Sequence, residues 1–136
     1  MFFEKKNKDE IEDLSKVAAL LIHAAKIDEK YSDHEEEIIK KTLSEIGAES
    51  MNVEKIIEKG KKIEADSNQI LEFTKKVKNM AEQNKLKIIE SLWKIIYSNK
   101  EADIYETSLM RRLAGLLYID NKIMGDIKEK IKNENS

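Results

Sequence analysis

The chain contains no proline, and that absence constrains its fold more than any other feature. Proline is the residue a helix interior rejects most strongly. A chain of 136 residues without one, rich in Lys, Glu, Ile and Leu, is free to be helical almost from end to end. Its apolar residues recur every three to four positions, and no stretch alternates with period two for long enough to make a strand. Apolar residues make up 40% of the chain and charged residues 38%, with a net charge of −2. That is enough apolar material for the core of one domain, and too balanced a charge for a disordered chain or for a nucleic-acid binder working by bulk electrostatics.

Other classes fall away residue by residue. Without cysteine, disulfide scaffolds, thiol catalysis and cysteine-built zinc sites are excluded. The four glycines are scattered, so no glycine-rich phosphate loop can be drawn. The longest apolar run, Val17 to Ala25, is interrupted by His23 and falls short of the roughly 20 residues a membrane span needs. The start, Met1-Phe2-Phe3-Glu4-Lys5-Lys6, lacks the apolar stretch and cleavage site of a signal peptide. A soluble cytoplasmic protein without direct membrane insertion is expected.

The spacing predicts an all-α bundle of about seven helices. Residues 1–8 read as a flexible lead-in, 9–132 as a single helical domain and 133–136 as a frayed tail. Asp9 with Glu12 forms a capping box for the first helix, whose stripe is Ile11, Leu14, Val17, Ala18, Leu21, Ile22 and Ala25. Ser32-Asp33-His34-Glu35 is a capping box for the second, which buries Ile38, Ile39, Thr42, Leu43 and Ile46 and stops at Gly47. A third runs from Val53 to about Glu64, and a fourth from about Gln69 to Ala81. Glu82-Gln83-Asn84 reads as a connection before a fifth helix, Lys85 to Tyr97. Asp103 with Glu106 caps a sixth, and Asp120 caps a seventh with Ile123, Ile127 and Ile131 inward.

A shift of 71 positions lays the chain on itself. Leu21 falls on Leu92, Ala25 on Ile96, Asp28 on Asn99, Ser32 on Asp103 and Glu35 on Glu106. Ile39 falls on Met110, Lys40 on Arg111 and Ile46 on Leu117. A helix, a polar loop and a capped helix therefore occur twice, which suggests two related halves of one domain.

The two loops hold the densest chemistry in the chain. Each supplies three side-chain oxygen donors: Asp28, Ser32 and Glu35 in the first, Asn99, Asp103 and Glu106 in the second. Hard cations such as calcium and magnesium want several such oxygens around a small volume. Two capping boxes account for Ser32/Glu35 and Asp103/Glu106 without any ion; a helix exit does not itself require Asp28 or Asn99. His23 and His34 could join Asp28 or Glu35 around zinc, or be a packed and a solvated histidine. Trp93 reads as core. Glu35 with Glu106 could serve as an acid/base pair only if desolvated in a cleft, and no nucleophile, base and orienting group can be assembled.

At these loops the chain resembles the tellurite-resistance TerB family, in particular its short stand-alone bacterial members. The shared pattern is Asp-Gly-x-(Ile/Leu)-(Asp/Ser)-x-x-Glu between helices, twice. It stands here as Asp28-Glu29-Lys30-Tyr31-Ser32-Asp33-His34-Glu35 and Asn99-Lys100-Glu101-Ala102-Asp103-Ile104-Tyr105-Glu106. Glu29 and Lys100 replace the pattern's glycines, and Asn99 replaces its second leading aspartate. The resemblance covers about residues 10–131. It implies an all-helical fold of about seven helices with internal pseudo-symmetry, a role in tellurite, metal or envelope stress, and a divalent-metal site that carries over to Asp28, Glu35, Asp103 and Glu106. The expectation is a non-enzymatic module that binds a divalent cation (calcium, magnesium, manganese or zinc), a protein partner, or both, with no organic cofactor and no nucleic acid. The competing readings are a metal-dependent, hydrolase-like enzyme on the same carboxylates and a purely structural interaction domain.

Overall fold

The apolar run from Val17 to Ala25 decides the architecture. It lies in α1 (Phe2–Lys26), and Val17, Ala18, Ala19, Leu20, Leu21, Ile22, Ala24 and Ala25 are all buried. A helix that is apolar all round needs neighbours all round. They are α2 (Asp33–Glu45), α3 (Val53–Asp66), α4 (Ile70–Lys78) and α5 (Glu82–Ile96). Two further helices, α6 (Ile104–Leu116) and α7 (Asn121–Glu134), pack chiefly on α4 and α5 respectively. The structure, a computed structural model, describes residues 2–27, 31–66, 70–99 and 104–134. Among them there are seven α-helices, two short 3₁₀ turns and no strand, as the helical periodicity implies.

Several boundaries differ from the sequence reading. α1 begins at Phe2 rather than Asp9, because nothing between these residues breaks a helix. Asp9 is therefore interior to the helix, and Glu12 pairs with Lys59 of α3 instead of closing a cap. α1 is also buried on more than the predicted stripe, since Ala19, Leu20 and Ala24 are enclosed too. Glu82, Gln83 and Asn84 form the first turn of α5, not a connection; an acidic residue suits that positive helix end. Lys85 turns inward there, and its Nζ donates to the Leu117 carbonyl at 3.2 Å, just beyond the end of α6. The α7 cap is as expected, with Asp120 Oδ1 accepting from the Lys122 backbone N–H at 2.7 Å. Its inward stripe is buried Met124 and Ile131 with partly buried Ile127 between them, whereas Ile123 is 37% exposed. Spacing of three then four follows the 3.6-residue turn; the predicted 123-127-131 spacing of fours drifts off the face. The helix also continues to Glu134, past the expected start of the tail.

The 71-residue repeat is built into the backbone. α2 and α6 are each 13 residues long, and their first residues, Asp33 and Ile104, are equivalent under the shift. The described non-helical backbone has positive φ at Gly47 (107°) and Tyr118 (56°), which are equivalent too. Ala48 N–H donates to the Leu43 carbonyl at 2.9 Å, and Ile119 N–H to that of Ala114 at 2.9 Å. Gly47 N–H reaches Ser44 at 3.2 Å, and Tyr118 N–H reaches Gly115 at 3.3 Å. Both helices therefore end in a Schellman motif.

The halves differ where side-chain size differs. α1 meets α3 closely because a Cβ on Gly60 would lie 2.8 Å from the Ala18 Cβ. At the equivalent places in the second half stand Ile89 and Ile131, both buried, and the α5–α7 approach is less intimate.

Candidate functional site

The first acidic turn is built from its own cap. Ser32 has extended backbone (φ −93°, ψ 164°), and its Oγ accepts from the Glu35 N–H at 3.2 Å. Glu35 Oε1 accepts in return from the Ser32 N–H at 2.9 Å and the Ser32 hydroxyl at 3.0 Å. This is the reciprocal capping box predicted from the residue spacing. It leaves Glu35 only 2% exposed, while Asp33 and His34 face solvent.

Beside the cap lies a group that the sequence reading missed. The Tyr31 hydroxyl donates to Glu36 Oε1 at 3.2 Å, Lys61 Nζ lies 2.9 Å from the same oxygen, and Lys61 stands 5.6 Å from the centre of the Tyr31 ring. The Lys61 hydrogen bond, outweighing burial, holds the Glu36 carboxyl below the ordinary carboxylate range. Burial, and then the Glu36 charge, push the Tyr31 hydroxyl well above the ordinary tyrosine range.

The second turn places Glu106 at the third position of α6, the same place that Glu35 holds in α2, and Glu106 is 4% exposed. α5 leads into it through a 3₁₀ turn, Tyr97–Asn99, in which the Ser98 hydroxyl donates to the Ile95 carbonyl at 2.6 Å. Tyr97 stacks on Trp93 with ring centres 5.9 Å apart. Burial first, and then the charges of Glu129 and Glu106, raise the Tyr97 hydroxyl above its ordinary value.

Of the residues singled out as cation donors, the structure brings Ser32 and Glu35 into direct contact and sets Glu106 in the equivalent position. Asp28 and Asp103 lie outside the described residues, as does the Asn99 side chain. Among the described residues there is no group of three or more His, Asp or Glu side chains that could hold a metal. Ser32, Glu35 and Glu106 are hard oxygen donors of the kind calcium, magnesium or manganese prefers. One Glu35 oxygen already serves the cap, so a cation here would draw on Asp28, Asn99 or Asp103 to complete its shell.

The described partner of His23 lies on another helix. His23 Nδ1 lies 3.4 Å from Glu64 Oε1, and Lys26 Nζ lies 2.7 Å from Glu64 Oε2. His34 is exposed. Trp93 is buried, as expected of a core residue. Both candidate carboxylates are buried, yet the clefts between α6 and α7 and beside α4 are lined by other residues.

The fold defines a class: an all-helical module in which a helix followed by a 13-residue helix with a Schellman end occurs twice. The family model described as tellurite resistance protein TerB matches residues 14–129, and the chain belongs to that family. No curated protein and no solved structure matched it. Among the described residues no helix is long and apolar enough to cross a membrane.

Proposed function

We propose that this TerB-family chain is a non-enzymatic module whose paired acidic turns bind a divalent cation, and through that face a protein partner, in the response to metal or envelope stress. The observation that carries this reading is the recurrence of a buried glutamate, Glu35 and Glu106, at the third position of two equivalent 13-residue helices. A carboxylate withdrawn from water needs hydrogen bonds or a cation to offset its lost hydration. The helix N-terminus supplies part of that compensation, and at Glu35 the Ser32 N–H and hydroxyl supply more; a cation shared with Asp28, Asn99 and Asp103 would add to it. The capping box explains Glu35 as a residue type. It does not explain the oxygen-bearing side chains at Asp28 and Asn99, at the exits of the preceding helices.

Burial of the same carboxylates is also what a metal-dependent hydrolase would need, and this is the second reading. A hydrolase must present them to a space that admits substrate. No nucleophile, base and orienting group can be assembled from the sequence, so the binding module is preferred. Isothermal titration with calcium, magnesium, manganese and zinc tests it on the native chain and on Asp28→Ala combined with Glu106→Ala. Saturable binding by the native chain, weakened about tenfold or more in the variant as charged ligands are lost, is expected. Equal and negligible heats in both proteins would sink the proposal.

A further inference from the structure

Between α6 and α7 the surface opens into a cleft of about 170 Å³, floored by Trp93 with Met110 and Met124 and edged by Arg111 and Lys128. Pockets for drug-sized ligands occupy roughly 300–1,000 Å³, so this one suits a single small group. Its charge is positive. Lys128 Nζ stands 5.6 Å from the centre of the Trp93 ring, and neither Lys128 nor Arg111 has a carboxylate partner among the described residues.

The first half of the chain contains the same place with its charge answered. Arg111 is equivalent to Lys40 and Gly125 to Glu54, and Lys40 pairs with Glu54 at 2.9 Å. Thr107 is equivalent to Glu36, which pairs with Lys61 at 2.9 Å. Lys128 is equivalent to Ile57, a buried core residue. The second copy has thus kept both cations, with Lys132 equivalent to Lys61, lost both carboxylates and gained a further cation, Lys128, in place of an apolar side chain. A Cβ added to Gly125 would meet nothing within 4 Å, so the space into which a glutamate would project there is open.

We infer that this cleft binds a small oxyanion, a carboxylate or phosphate group, held between Arg111 and Lys128 against the Trp93 indole. A guanidinium offers paired N–H donors that match two oxygens of such a group, and the ammonium adds a point charge. The Trp93 Nε1–H is buried with no acceptor among the described residues. A buried donor is seldom left so in a native fold, and a small shift of the ring would bring it to an anion seated in the cleft.

Trp93 is the only tryptophan, so an amide-correlation NMR spectrum of the full chain carries one indole signal. Titrations with inorganic phosphate and separately with acetate, at ionic strength held constant with chloride, should move that signal saturably, with half-saturation on the order of 1 mM. Arg111→Gln combined with Lys128→Gln should weaken the response at least tenfold, and Arg112→Gln should leave it unchanged. Gly125→Glu, which restores the carboxylate the first half carries, should abolish it by pairing with Arg111, and serves should the double variant not fold. A response to phosphate alone identifies a tetrahedral ligand, and a response to acetate alone a carboxylate; either supports the site. No saturable movement with either anion overturns the inference, as does a response undiminished in the folded variants.

Discussion

At the start of α2 two adjacent glutamates are held by different means. Glu35 is held by the Ser32 backbone and hydroxyl, and Glu36 by Lys61 of another helix. Ser32→Ala should therefore lower stability by about 1 kcal/mol, read as a fall in urea midpoint with unchanged slope. Glu35→Ala should couple to it non-additively in a double-mutant cycle; strict additivity would show that the reciprocal box contributes nothing. Glu36 gives a pH signature. Its carboxyl is lowered in the folded state, so the unfolded chain takes up the proton first as pH falls. Its contribution is present above the ordinary glutamate pKa of about 4.3 and is lost as pH drops through the lowered folded value. Urea midpoints measured from pH 6 down to pH 2 should fall less steeply for Lys61→Met than for the native chain. The Ser32 cap was legible because it is local: donor and acceptor lie three residues apart. The Glu36–Lys61 and His23–Glu64 pairs were not, because each joins separate helices and depends on how those helices cross.

For the helices, the decisive contact is Gly60 against Ala18. Helix propensity alone makes Gly→Ala stabilising by about 1 kcal/mol. At Gly60 the new methyl would meet the Ala18 Cβ at 2.8 Å, and overpacking of this kind costs about 1–3 kcal/mol. Gly60→Ala should thus lower the melting temperature. Gly115→Ala, in α6 with nothing within 4 Å of the added atom, should raise it; the same sign for both would contradict the close α1–α3 crossing. The helices themselves were readable from apolar spacing, and Gly47 was readable as a stop because glycine favours positive φ. Tyr118 carries no such signal in its own residue type. The repeat supplies one, since Tyr118 is the register equivalent of Gly47. The near-complete burial of α1 was visible as the run Val17–Ala25, and a stripe assignment undercounted it because one helix packed by four others leaves only His23 of that run partly exposed. Ile123 was misplaced because spacing by fours mimics a helical face for only two turns.

The whole molecule is a pair of similar halves that have diverged in charge. One keeps its acidic turn next to the Lys61–Glu36 and Lys40–Glu54 pairs; the other exchanges those carboxylates for Thr107 and Gly125. The duplication and the family were legible in the sequence, because cap residues and apolar positions recur in register. Whether the two acidic turns cooperate was not, because that depends on side chains at Asp28, Asn99 and Asp103 meeting in space. Crystals grown with manganese and measured for anomalous scattering test that cooperation most directly. The account predicts an anomalous peak within about 2.5 Å of a Glu35 or Glu106 oxygen, sharing its shell with Asp28 or Asp103. Well-ordered acidic turns with no peak at either one would contradict it.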